Sequence, residues 1–190
     1  MSDQQRLHIE SSPGETPRSR EAPTPRQFRD IVGHFTTGVT VVTAAHDGKA
    51  RGMTASSFTS VSLDPLLILI CLRVGSATDT LAVSSGHFAV SILSAKQRAV
   101  AAWFANAARP DDESQLDVVG WRPGAVAGAP LVSNALAWLE CAVARRIVVG
   151  DHAVLFGRVA ELTAGAVGAP LVFHRGSFGT FGALAEPIAS

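Results

Sequence analysis

The chain of 190 residues has no tyrosine, two methionines, two cysteines and only two lysines, Lys49 and Lys96. Its formal net charge is zero. With no cluster of lysine or arginine in the sequence, nothing is dedicated to neutralising a phosphate backbone or an anionic bilayer, so neither nucleic acid nor membrane is an expected partner. Neither C-x-x-C nor H-E-x-x-H occurs, and the six histidines are scattered, so no metal-ligand spacing is present. Cys71 and Cys141 both lie in apolar runs. They read as buried free thiols of a reducing compartment, the cytoplasm, with a disulfide as the other reading. The longest apolar run, Leu66 to Leu72, is too short to cross a bilayer. The first residues contain no apolar stretch of the kind a signal peptide carries.

Hydrophobic residues make up 47% of the chain and charged residues 17%, the balance of a globular body with room for a core. Residues 1–25 differ. They hold four of the ten prolines, with mixed charges and few apolar side chains. The expected organisation is a tail over 1–25 and one domain over 26–190.

In the body, Thr24 and Pro25 are a helix cap and first turn. Phe28, Ile31, Val32 and Phe35 follow at helical spacing, with Gly38 as the stop. Val39–Ala44 is β-branched and leads into Asp47-Gly48, a hairpin signal. The stretch Arg51–Pro65, RGMTASSFTSVSLDP, reads as the next strand. Leu66–Leu72 is apolar at every position and is expected to be central and buried on both faces. Ser76–Ser84 reads as a short helix, His87–Leu93 as a strand and Lys96–Ala105 as a helix. Ala107–Pro130 is irregular. Leu136–Val149 and Ala153–Leu162 are long strands around Gly150-Asp151, and Pro170–His174 is the last strand. Helices do not alternate with strands. The expected fold is mainly β with short helices, an antiparallel barrel rather than a doubly wound sheet.

Four segments carry candidate chemistry. The hydroxyl-rich run around Thr54, Ala55, Ser56 and Ser57 fits either an exposed edge strand or the wall of a site for a flat, polar ligand. Small residues let a backbone approach closely, and hydroxyls bond a polar edge. Arg73, Ser76 and Thr78 lie where a strand meets a helix. Ser76 and Asp79 resemble a capping box, and free N–H groups beside Arg73 would suit a phosphate as well as they suit plain capping. His152 follows the Gly150-Asp151 turn and is either a ligand contact or a solvated loop histidine. His174 and Arg175 end the last strand, over a pocket or at a plain terminus. No nucleophile with a base and no carboxylate pair stands out, so an enzyme with this sequence would rely on a cofactor.

Four landmarks in order, Phe35–Ala44 (FTTGVTVVTA), Gly52–Pro65 (GMTASSFTSVSLDP), Gly150–Val159 (GDHAVLFGRV) and Phe173–Phe181 (FHRGSFGTF), resemble the short-chain flavin reductases. These are FMN-binding split-barrel proteins that form the reductase component of two-component flavin-dependent monooxygenases. The resemblance spans about residues 28–181. It implies a homodimeric split β-barrel that binds FAD or FMN and takes a hydride from NADH or NADPH. Reduced flavin would pass to a separate oxygenase or halogenase. By the resemblance Thr54, Ala55, Ser56 and Ser57 line the flavin, Arg73, Ser76 and Thr78 lie near its phosphate, Thr37 and Val39 lie near the ring, and His152 orients the nicotinamide or the flavin. With no obvious arginine pair for a 2′-phosphate, NADH is the expected donor. Three positions depart from the family pattern: Thr36 stands for a proline, Pro65-Leu66 for Pro-Pro, and His174 for a tyrosine. A non-catalytic flavin carrier on the same barrel is the alternative. A related split-barrel protein using pyridoxal phosphate or haem is a third reading.

Overall fold

The computed structural model describes residues 22–165 and 167–181. Most of the tail expected over 1–25 therefore lies outside the described residues. The chain divides into two units, one ending at Val32 and the other starting at Gly33. In the first, helix α1 covers Pro25–Val32. Thr24 caps it: its Oγ1 accepts from Gln27 N, and its own N–H donates to Gln27 Oε1 at 2.8 Å. That reciprocal pair is a capping box. The helix is shorter than its spacing suggests. It ends at Val32, so Phe35 lies outside it.

The second unit is built on one seven-stranded antiparallel sheet. Strand β1 is Thr37–Gly38, β2 Thr40–His46, β3 Lys49–Ala55, β4 Thr59–Leu63 and β5 Leu66–Arg73. Helix α2 follows at Ala77–Ser85, then β6 at His87–Ile92 and helix α3 at Arg98–Ala105. Strands β7 (Trp121–Pro123), β8 (Pro130–Val132), β9 (Ala137–Val149), β10 (His152–Ala164), β11 (Leu171–His174) and β12 (Ser177–Thr180) complete it. The large sheet runs β3-β2-β6-β9-β10-β5-β4, and two small sheets are formed by β1-β11-β12 and β7-β8. The architecture is the expected mainly β, antiparallel barrel.

The turns follow from their residues. Asp47 and Gly48 have φ of 49° and 74°, and His46 pairs with Lys49, which is a two-residue type I′ hairpin. Gly150, with φ of 61°, opens the tight turn that joins β9 to β10. Strand β2 is buried on both faces over Thr40–Ala44: Val42 and Ala44 enter the barrel core with Ile70, Leu72, Phe88 and Leu155. Val41 packs on the other side with Leu93, Phe104 and Leu171.

Four expectations change. Arg51–Pro65 is not one strand. It is broken at Ser56–Phe58, where β3 leaves its partner β2 and β4 has not yet met β5. Leu66–Leu72 is next to the sheet's end, between β10 and β4. Only Ile68, Ile70 and Leu72 are fully buried, while Leu67, Leu69 and Cys71 on the opposite face are half-buried. An unbroken apolar run cannot distinguish a central strand from one whose second face is left for something else. Ala107–Pro130 holds a 3-10 turn at Glu113–Leu116 and the strand β7. Its next segment is pinned by Glu140, whose buried carboxylate accepts N–H bonds from Ala125, Val126 and Ala127 at 2.7–3.0 Å. Finally, the chain continues past His174 into β12, which pairs with β11.

Candidate functional site

The hydroxyl-rich stretch sits where the barrel closes. Ser57 Oγ donates to Cys71 O at 3.1 Å and accepts from Cys71 N at 2.9 Å, so one side chain replaces a missing ladder residue between the end of β3 and β5. Thr54 Oγ1 donates to Ala101 O of α3 at 2.7 Å. Ala55 is buried, and its carbonyl accepts from Thr40 Oγ1 at 2.8 Å. Ser56 is exposed. Two of the hydroxyls thus serve the scaffold. What the break at Ser56–Phe58 offers a ligand is backbone outside both ladders.

Beside it lies a cavity of about 440 Å³ whose lining includes Arg51, Thr54, Arg73, Ser76, Thr78 and Arg109. Helix α2 begins on its wall. Ser76 Oγ accepts from Asp79 N at 3.3 Å, but the second half of the expected capping box differs. Asp79 Oδ2 accepts from Gly75 N at 3.0 Å, and its carboxylate takes two bonds from Arg146 of β9, at 2.9 and 2.7 Å. Burial alone would raise the pKa of this carboxyl. The hydrogen bonds from Arg146 and Gly75, and the Arg146 charge, outweigh it and hold the pKa below its ordinary value. The pair fixes the loop from Arg73 to Ser76 against β9.

The far wall comes from the 106–116 segment. Gln115 is buried, and its Oε1 accepts from Gly52 N at 3.2 Å. Arg109 Nη2 donates to Gly52 O at 2.9 Å and Nη1 to Asn106 O at 2.8 Å. Arg51 is held by Glu113 at 2.8 Å and by Asp111 at 3.5 Å. The fold therefore gathers three guanidinium groups around one cavity from three distant segments. Arg109 carries no sequence signal, because it lies in a segment with no motif, and Arg51, although it heads the hydroxyl-rich stretch, has nothing in its local sequence to link it to Arg73.

The remaining candidates lie apart from that cavity's lining. Val39 is 1% exposed and packs in the core around Phe104. Thr37 Oγ1 is buried with no hydrogen-bond partner among the described residues. His152 is exposed, pairs across the sheet with Arg73, and its Nδ1 lies 2.8 Å from Asp151 Oδ1. An ionised carboxylate only accepts, so Nδ1 carries the hydrogen and Nε2 is left free. Asp151's pKa is lowered by that hydrogen bond and by the histidine's charge. Cys141 and Cys71 are both free thiols, and burial, then the Glu140 charge, pushes the Cys141 pKa up to about 12. Among the described residues there is no cluster of side chains able to hold a metal, and no helix long and apolar enough to cross a membrane.

The site is thus a cavity at a strand–helix junction of an antiparallel barrel, with backbone outside both ladders beside it. Residues 32–182 match the family described as flavin reductase like domain. The chain is 43% identical over 155 residues to the NADH-dependent FAD reductase of Streptomyces globisporus, covering 82% of this chain and 85% of that protein. It is 38% identical to the flavin-dependent monooxygenase reductase subunit HsaB of Mycobacterium tuberculosis, covering 81% of each. The crystal structure of BorF, the flavin reductase component of a bacterial two-component tryptophan halogenase, superposes with a TM-score of 0.78 at 45% identity. That alignment covers 83% of this chain and 98% of BorF. The chain belongs to the flavin reductase-like family.

Proposed function

We propose that this protein is an NADH-dependent flavin reductase that supplies reduced FAD or FMN to a separate monooxygenase or halogenase. The observation that carries the reading is the cavity where Arg73, Ser76, Thr78 and Thr54 meet, beside the unpaired backbone of Ser56–Phe58. The residues fit the group. Arg73 and the first-turn N–H groups of α2 would hold a phosphate, and N–H donors at the strand break would face a polar ring edge. The buried, unpartnered hydroxyl of Thr37 supports a second polar contact on the ring side. Flavin, when bound, supplies the hydride-accepting chemistry.

The chain's own task is positioning. Val39 shapes the scaffold behind Thr37, Ala55 and Ser57 fix where β3 breaks, and Ser56 is free to contact a ligand. His152 orients the nicotinamide or the flavin through Nε2, with Asp151 fixing its tautomer. If His152→Ala left kcat/KM for NADH unchanged, that role would be wrong.

In this reading the protein is a cytoplasmic homodimer, with a tail over 1–25 and the reductase domain over 26–190. The exposed Leu63, Leu66 and Leu162, beside the half-buried outer face of β5, support a subunit contact. The free thiols support a reducing compartment. The family match from residue 32 supports the domain.

The test is NADH oxidation by purified protein under anaerobic conditions, with FAD and FMN added in turn. Flavin-dependent turnover is expected. Tight flavin retention without turnover would make the protein a carrier, and no turnover with no binding would remove flavin from the account.

A further inference from the structure

The three arginines of the cavity are not equivalent. Arg51 is neutralised: Glu113 and Asp111 both reach it. Arg109 is not. Its three hydrogen bonds go to neutral acceptors, namely Gly52 O, Asn106 O and Gln115 Oε1, and it forms no ion pair among the described residues. A guanidinium has five N–H donors, so two remain. Arg73, on the opposite wall, is also without an ion pair among the described residues. The lining's acidic residue is Asp111, which is engaged by Arg51. Asp111 acts on Arg109, and Asp151 lies near Arg73, through charge alone, so the cavity presents two guanidinium groups that no carboxylate among the described residues contacts directly.

Its size points the same way. One water occupies about 30 Å³ of liquid, so a cavity of about 440 Å³ has the space of roughly fifteen waters, far more than one phosphoryl group fills. Thr78, 2% exposed, lines the same space beside the start of α2. A half-buried cation bonded only to neutral groups favours an anion more strongly than an exposed one, because less water competes for it.

We propose that the cavity is built for a diphosphate, with the Arg73–Thr78 side taking one phosphate and Arg109 the other, and that Arg109 sets the chain's preference for FAD over FMN. This rests on the reductase reading above, which requires only a flavin. It adds that the adenylate half is read, and by which residue.

The test is kcat/KM for FAD and for FMN in the wild type, Arg109→Met and Arg109→Lys. The FAD-to-FMN ratio should fall about tenfold in Arg109→Met, the loss of one charge-assisted contact. It should fall less in Arg109→Lys, which keeps the charge and loses the fork. A ratio unchanged in both variants overturns the proposal. So does a shift confined to the NADPH-to-NADH ratio, which would assign Arg109 to a 2′-phosphate instead. Binding without redox chemistry is the independent arm. By calorimetric titration, ADP should bind the wild-type chain about tenfold tighter than AMP, and equal affinities overturn the diphosphate seat even if the variants do not fold. Preference for ADP in a chain that reduces no flavin would instead keep the seat and sink the reductase reading.

Discussion

Replacing Asp79 by alanine is expected to lower folding stability by about 2–3 kcal/mol. The carboxylate is 2% exposed and accepts three hydrogen bonds, two from Arg146 and one from Gly75 N. Removing one partner of a buried ion pair commonly costs about 3–5 kcal/mol, because the other charge is stranded. Here the Arg146 side chain is 28% exposed and can recover water, which places the cost in the lower part of that range or just beneath it. In a domain of this size the melting temperature would fall by roughly 4–12 °C. The pH dependence gives the sharper check. The folded-state pKa of Asp79 is depressed. Its stabilisation is therefore complete above the unfolded value of about 3.9 and is lost as pH falls through the folded value. Urea unfolding of wild type and Asp79→Ala should show the full gap near neutral pH and a shrinking gap below about pH 4. A gap under about 0.5 kcal/mol at neutral pH, the range of an ordinary surface change, would mean the pair does not hold the α2 entry loop in solution. A gap that persists undiminished in acid would mean the loss comes from packing and not from charge.

Ser57→Ala removes both bonds to the Cys71 backbone at the barrel seam. It should cost about 1–3 kcal/mol and speed hydrogen exchange at the Cys71 amide, and unchanged exchange would show that the seam is closed by other means. Gly157→Ala should cost about 1–3 kcal/mol by overpacking. The added methyl would collide with the Phe88 ring and come within 2.9 Å of Cys141 Cβ. A thermal melt checks it, and a neutral result would mean that the Phe88 ring moves aside.

Much of the fold could be read from the sequence where a single local rule decided it. Asp47-Gly48 specified a hairpin because only residues tolerant of positive φ serve a type I′ turn. Gly150 separated two β-branched runs, and these proved to be the long pair β9 and β10. Ser76 capped α2. The misreadings occurred where local rules conflict with pairing. Thr and Val favour strands around the break at Ser56–Phe58, and the turn-forming Ser56-Ser57 pair at it is no stronger a local signal than Ser60 or Ser62 inside β4. The break exists because β3 pairs with β2 whereas β4 pairs with β5, and propensity carries no information about partners. For the same reason the uniform apolarity of β5 could not show that it lies next to the sheet's end.

The candidate site divides along a similar line. Arg73, Ser76 and Thr78 were legible because strand end, cap and helix start are contiguous in sequence. Arg109 was not, because its place beside them depends on Gln115 and Gly52 holding the 106–116 segment against β3. Two departures from the family pattern show how far such coupling reaches. Thr36 and His174 each looked like an isolated change, yet Thr36 Oγ1 lies 3.0 Å from His174 Nδ1, across 138 positions of chain. A proline at position 36 would have no hydroxyl to make that bond, so the two departures are one arrangement. It sits where β1 pairs with β11, next to Thr37, whose own hydroxyl is buried without a partner among the described residues. An exposed polar pair beside an unsatisfied buried hydroxyl is an arrangement that a bound polar group would complete. Thr37 itself is singled out by the family resemblance alone.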